Sequence, residues 1–254
     1  MKKNTVICLL LVSILLLQGV NHTAQAEETS SGDDWEFALA PFYLWAVSLD
    51  GDVVVGPQGS NVSLDFGDIF DNLEAVFIIH FETIYKKNYG FLFDVNFINL
   101  GVSSSTPKSE INVDLEATVA EFLPYYRWLN GDHNLDFMAG ALYSRVAQDV
   151  SFSSSPFAID VTEDWVDPIM GIRWNWGFSD KWRLVAKGVV GGFGVSSDLV
   201  WEGSGMVTYQ PWKNAEFLLG YRAVGIDYET GAGPTRFEYD VTMAGPVFGI
   251  NFKW

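Results

Sequence analysis

Two histidines, His80 and His133, are the only side chains beyond residue 26 whose ordinary pKa suits proton transfer near neutral pH. A histidine base needs a hydroxyl, a water or a carboxylate held beside it, as in Ser–His and Asp–His pairs. His133 follows Asn130-Gly131-Asp132, a turn sequence, so it sits in a connection between elements. His80 alternates with Glu82, which puts both on one face of a strand, where a nucleophile can come only from another strand. A histidine held by hydrogen bonds is the favoured reading, and an enzyme relying on His80 is its rival.

The same alternation sorts further charges. His80, Glu82, Asp94, Asp114, Glu116, Asp167, Arg173, Lys187, Glu202 and Arg222 are read as one inward-facing polar set, opposite apolar side chains such as Phe77, Ile79, Phe81, Phe91, Phe93, Val95 and Phe97. Six carboxylates against three cations and one histidine can pair into a salt-bridged plug, or leave negative charge that prefers small cations. The plug is favoured, because buried charges need partners and both signs are present. Asp50, Asp52, Asp65, Asp68 and Asp71 crowd residues 48–73, but their spacing lacks the bidentate Glu that closes an EF-hand loop. A solvated acidic loop, no metal site and no cofactor are therefore expected. Gly191-Gly192-Phe193-Gly194 is followed by no helix, so its glycines mark a bend or close packing and not a phosphate loop.

These residues need a scaffold with a period of two. Ten strands are read at 35–47, 74–86, 90–104, 111–128, 134–150, 163–178, 182–196, 198–212, 215–230 and 236–254. Eight or twelve remain open, since Val53-Val54-Val55 and Val62 to Phe66 form a further hairpin in the larger count. Short connections (87–89, 129–133, 179–181, 212–214) alternate with longer ones (48–73, 105–110, 151–162, 231–235), with 196–198 the exception. That is the pattern of a transmembrane antiparallel up-and-down β-barrel, with short periplasmic turns and long outer loops. Lys86, Lys87, Arg127, Lys181, Arg183, Lys213 and Lys253 gather at the short-turn end and C-terminus. Two aromatic girdles are expected: Trp35, Tyr85, Tyr126, Trp128, Trp176, Trp182, Tyr209, Trp212 and Trp254 on the inner side, and Tyr43, Trp45, Tyr143, Trp165, Tyr228 and Tyr239 on the outer.

Two places break the phase. With Ile111, Val113, Leu115 and Ala117 read as outward and Asn112, Asp114 and Glu116 as inward, Glu121 turns to lipid; the last strand likewise turns Glu238 and Asp240 outward. A bulge or register shift is expected near Glu121 to Pro124 and near Gly245-Pro246.

At the N-terminus, Lys2 and Lys3, an apolar run from Val6 to Leu17 and Ala24-Gln25-Ala26 match a secretory signal peptide over residues 1–26. Residues 27–34 are a polar periplasmic lead-in, and 35–254 a single barrel domain. Cys8 lies within the signal, so disulfides play no part. Without Lys2 and Lys3 there are 13 basic against 32 acidic residues, a net charge of −19, which repels nucleic acid. No stretch reaches the ~20 apolar residues that a membrane-spanning helix needs.

Four blocks carry a family likeness: residues 62–75 (VSLDFGDIFDNLEA), 167–173 (DPIMGIR), 191–201 (GGFGVSSDLVW), and Gly220-Tyr221-Arg222 with Asp227-Tyr228. In them the chain resembles a family of uncharacterised proteobacterial outer-membrane β-barrel proteins, small OmpA- or porin-like barrels. The resemblance implies an outer-membrane location and carries over no active site. Phe252 and the terminal Trp254 resemble the aromatic signal read by the barrel-assembly machinery, although such barrels usually end in Phe.

The expected protein is a non-enzymatic outer-membrane barrel with a structural or narrow cation-preferring channel role. Its expected partners are membrane lipid, lipopolysaccharide, the barrel-assembly machinery and, for an open lumen, small cations. The rivals are a lipid-modifying enzyme using His80, a barrel that binds surfaces through its acidic outer loops, and a secreted soluble β-sandwich.

Overall fold

The computed structural model describes residues 34–56, 58–105, 110–152 and 158–254. Residues 1–26, expected as a signal peptide, and nearly all of the expected lead-in lie outside the described residues, as do 106–109 and 153–157 of two of the longer connections. The strands are β1 (Trp35–Trp45), β2 (Ser48–Val55), β3 (Gln58–Leu64), β4 (Leu73–Tyr85), β5 (Tyr89–Ser105), β6 (Glu110–Asn130), β7 (His133–Phe152), β8 (Ala158–Ser179), β9 (Trp182–Gly192), β10 (Leu199–Trp212), β11 (Ala215–Thr230) and β12 (Phe237–Lys253). A short α-helix, α1 (Phe66–Asp71), lies between β3 and β4, and a 3-10 turn (Gly233–Thr235) between β11 and β12. Asp65 caps it, accepting from the Asp68 amide at 2.9 Å while the Asp68 carboxylate accepts from the Asp65 amide at 3.2 Å. Two of the five aspartates of the acidic loop thus hold a helix terminus.

β1 pairs with β4, each strand from β4 to β12 pairs with the next, and β12 returns to β1, so ten antiparallel strands close a barrel. β2 and β3 form the extra hairpin above it, added to the far half of β12. The tight turns show why the chain reverses where it does. Lys86 (φ 49°) and Lys87 (φ 64°) both take positive φ as the central pair of a mirror-image turn that matches strand twist, closed by the Asn88 amide on the Tyr85 carbonyl at 3.2 Å, and Gly131 (φ 61°) serves the next connection.

Gly245-Pro246 is not a bulge. β12 pairs with β11 in one unbroken register from Thr230↔Phe237 to Ala215↔Phe252. What changes there is the other neighbour: Val247 to Lys253 face β1, and Phe237 to Ala244 face β2. Proline, which lacks an N–H, falls where the strand changes partner, and its carbonyl accepts from the Ala46 amide at 2.9 Å. The register shift lies instead in β1, between Leu39 and Phe42, where Pro41 interrupts the ladder.

Nor is there a shift near Glu121. β6 keeps one phase throughout, and that phase is the opposite of the one read from its first residues. Leu115, Ala117, Val119, Glu121, Leu123 and Tyr125 face inward; Asp114 and Glu116 are exposed on the outside. The reason is length. β6 has 21 residues, about 70 Å of strand and ~50 Å of height at a ~40° tilt, roughly twice the ~25 Å apolar band of a membrane barrel. Beyond that band the outside meets water, so the rule of apolar outside and polar inside inverts.

The band itself is visible on β11, where Phe217, Leu219, Tyr221, Ala223 and Gly225 face outward before Asp227 and Glu229 take over. At the end carrying the tight turns, Trp35, Tyr89, Tyr126, Trp128, Trp176, Trp182, Trp212 and Trp254 are all exposed, forming one aromatic ring. The six residues expected for a second ring do not form one. Tyr43, Trp45, Trp165, Tyr228 and Tyr239 are buried in the lumen, with Trp165 stacked on Tyr228 at 4.0 Å; of the six expected, only Tyr143 faces outward. These residues have the right height but the inward parity.

Candidate functional site: a paired charge layer beneath an apolar chamber

Inside the band, alternate positions of nearly every strand deliver charge to one layer. Nearest the turn end, Arg127 and Arg173 share Asp136: Arg127 Nε donates to Oδ1 at 2.6 Å and Arg173 Nε to Oδ2 at 2.8 Å. Arg173 also donates to both oxygens of Glu82, at 2.5 and 3.1 Å, and the Tyr125 hydroxyl donates to Glu82 at 2.6 Å. Asn175 Nδ2 supplies Asp136 with a further donor at 3.1 Å. Both guanidinium groups lie near the Tyr125 ring, at 5.3 and 5.1 Å from its centroid. Two carboxylates and two cations cancel.

Above them, Arg222 bridges Asp94 and Glu202 at 3.0 Å each, and Lys187 bridges Glu121 at 2.7 Å and Glu202 at 3.0 Å. His80 Nδ1 sits 3.1 Å from Asp94. Here three carboxylates face two cations, with His80 beside Asp94. At the turn-end mouth, Glu216 pairs with Lys253 and with Arg183 at 3.6 Å, and accepts from Thr208 at 2.5 Å.

The ion-paired lumen therefore holds Glu82, Asp94, Glu121, Asp136, Glu202 and Glu216 against Arg127, Arg173, Arg183, Lys187, Arg222 and Lys253, six against six among the described residues, with His80 beside them. The surplus of negative charge read from the sequence is absent. Asp114 and Glu116 leave the set because they face water outside the barrel, for the reason given for β6. Asp167 is fully buried but apart from the layer; it accepts from the Ser197 amide at 2.7 Å and the Ser197 hydroxyl at 2.6 Å, pinning the connection after β9. Glu121, Asp136, Arg127, Arg183, Glu216 and Lys253 were not in the sequence-read set. Arg127 and Asp136 stand directly opposite each other across the β6–β7 hairpin, a pairing that register would have shown.

Buried ion pairs of this kind do little for net stability but tolerate no loss of a partner, since breaking one costs about 3–5 kcal/mol. They also leave little room. The space within the layer is about 100 Å³, lined by Tyr43, His80, Arg173 and Lys187 among others. It separates a vestibule of about 600 Å³ at the turn end, beside Glu36, Lys213 and Trp254, from a chamber of about 500 Å³ at the loop end. That chamber is mostly apolar, with Val, Leu, Ile and aromatic side chains from β1 to β7 and β12; its polar groups are the amides of Asn96 and Gln148, the Trp45 indole and the Tyr239 hydroxyl.

His80 is boxed in. Its ring stacks on Tyr43 at 5.9 Å and its Nδ1 faces Asp94, and no hydroxyl is bonded to it among the described residues. His133, first residue of β7, accepts from Trp174 Nε1 at 3.2 Å and stacks on Trp174 and Trp176. Among the described residues no group of three or more His, Cys, Asp or Glu side chains is arranged to hold a metal ion.

No protein-family model matches the chain, and neither does any curated protein. Solved structures do. The outer-membrane protease OmpT of Escherichia coli superposes with a TM-score of 0.51 at 9% identity, over 88% of this chain and 98% of that one. Looser matches are the translocator domain of the autotransporter NalP of Neisseria meningitidis (TM-score 0.42, 9% identity, 99% of this chain and 98% of that one) and the attachment invasion locus protein Ail of Yersinia pestis (0.40, 12%, 87% and 99%). At 9% identity the OmpT likeness speaks to the fold alone, a closed antiparallel β-barrel.

Proposed function

We propose that this chain is an outer-membrane β-barrel with a sealed lumen, structural and non-enzymatic, and not an open cation channel. The observation that carries the reading is the six-against-six charge layer across the lumen, which leaves no unpaired field to draw cations through. Membrane placement is supported by the continuous outward apolar face and by the exposed aromatic ring at the turn end, because a water-soluble surface rarely exposes apolar patches of this size. Under this reading the turn end faces the periplasm, residues 1–26 direct export and are cleaved, and the loop end faces lipopolysaccharide. The boxed-in His80 supports the non-enzymatic part.

The C-terminus fits recognition by the barrel-assembly machinery. Trp254 exchanges backbone hydrogen bonds with Phe37 at 2.9 and 3.1 Å, so it closes the β1–β12 seam, and its ring is exposed. Phe252 lies two positions earlier, paired with Leu39.

The test is single-channel recording of the refolded mature protein in planar bilayers. The wild type is expected to be silent, and the double variant Arg173→Ala, Arg222→Ala to show cation-selective leakage, because two cations are lost and water enters the layer. Discrete openings of the wild type would overturn the sealed-lumen reading.

A further inference from the structure

The chamber above the charge layer has two properties that a simple barrel does not require. Its β6 wall is apolar where the outer face of the same strand is polar: Leu115 and Ala117 face in while Asp114 and Glu116 face out. It also encloses about 500 Å³, within the range of small-molecule sites and far above the water-sized voids of ordinary interiors. Ordered water needs several polar partners, and two amides, one indole and one phenol are few for such a space.

The wall of this chamber has a seam. Among the described residues β3 pairs only with β2, and β4 loses β1 after Ala40↔His80, so residues 73–79 of β4 have no described strand on that side. No backbone hydrogen bond joins β3 to β4 among the described residues. Val62 and Leu64 on one side and Val76 and Ile78 on the other line the chamber across the seam. Val76 is an inward position, yet it is 42% exposed, and the neighbouring outward Phe77 is 52% exposed. At the loop end of the seam, α1 shows Phe66 and Phe70 to the outside while burying Ile69. On its β4 side the seam runs beside the outward-facing Phe77 and Ile79.

We propose that the chamber is a binding site for an uncharged, unanchored lipophile with a single hydrocarbon chain or ring system, admitted sideways from the membrane through the β3–β4 seam. At a liquid-like ~30 Å³ per non-hydrogen atom the chamber holds about 16 such atoms. A charged head group is excluded by the lack of ionised side chains in its lining. The proposal rests on the sealed lumen of the preceding section, which gives the chamber its floor.

The experiment uses the full mature protein held in amphipol, with N-phenyl-1-naphthylamine as the fluorescent probe. Saturable binding is expected, displaced by 1-alkanols with affinity rising about fourfold per methylene until the chain outgrows the chamber. Ala117→Phe, which puts a ring into the space, is expected to weaken probe binding at least tenfold while leaving thermal stability unchanged or higher. Val76→Lys, which puts a charge in the seam, is expected to slow association at least tenfold with the loop-end control Asp114→Lys unaffected. Absence of saturable binding by the wild type, or binding indifferent to Ala117→Phe, overturns the site; association indifferent to Val76→Lys overturns the sideways route. A conducting barrel that still binds the probe would sink the sealed lumen and keep the chamber, whereas a silent barrel that does not bind would sink the chamber alone.

Discussion

Arg222 is the most connected cation of the upper charge cluster, and replacing it by methionine tests whether the lumen is a coupled network. Arg222 donates to Asp94 and to Glu202 at 3.0 Å each, and its guanidinium lies 5.0 Å from the centroid of Trp45. Each charge-assisted hydrogen bond contributes about 1.5–3 kcal/mol, which sets a gross loss of about 3–6 kcal/mol. The carboxylates are not abandoned altogether: Asp94 keeps His80 at 3.1 Å and Asn96 at 2.5 Å, and Glu202 keeps Lys187 at 3.0 Å. The loss should therefore fall at the lower end, about 3 kcal/mol. With a urea dependence of ~2–3 kcal/mol per molar, the unfolding midpoint moves down by about 1–1.5 M. The assay is equilibrium unfolding and refolding in lipid vesicles, followed by tryptophan fluorescence. Adding Asp94→Asn to Arg222→Met removes one of the two orphaned charges and should recover about 1 kcal/mol, although Asp94→Asn alone destabilises. A cost for Arg222→Met below about 1 kcal/mol, or no recovery in the double variant, would refute the coupled network.

Three further outcomes follow from particular residues. Lys87→Gly relieves a positive φ in the β4–β5 turn and should stabilise by about 1 kcal/mol in the same urea assay. Ser197→Ala removes the hydroxyl that bonds Asp167 at 2.6 Å and accepts from Trp165 Nε1 at 3.0 Å; a cost of about 1–3 kcal/mol is expected, with faster hydrogen exchange confined to 193–198. Trp254→Ala should lower the amount of assembled barrel in cells while changing the stability of refolded protein by under about 1 kcal/mol, and Trp254→Phe should restore assembly. Equal loss in cells and in refolding would assign Trp254 a packing role only.

The likeness blocks gain a physical meaning from the fold. They contain Arg173 and Arg222 of the charge layer, the Asp167 and Ser197 pair, and residues 62–75, which run from β3 through α1 to β4 along the seam. These are the places where a substitution leaves a buried charge alone or moves the chamber wall.

Alternation and turn residues were enough to read a barrel of about ten strands, with eight or twelve left open, and the inward phases of β4, β5 and the C-terminal half of β12, because a two-residue period is local. Alternation also placed His80, Glu82, Asp94, Arg173, Lys187, Glu202 and Arg222 on the inside. Three things required the tertiary structure. The phase of β6 depended on how far the strand rises above the apolar band, since the same alternation means the reverse once water lies outside and an apolar space inside. The charge balance depended on partners from strands far apart in sequence, such as Glu82 with Arg173 and Asp94 with Arg222. The chamber and its seam depended on β12 exchanging β1 for β2 at Pro246, a change of neighbour that leaves no mark on local periodicity because β12 keeps one phase throughout.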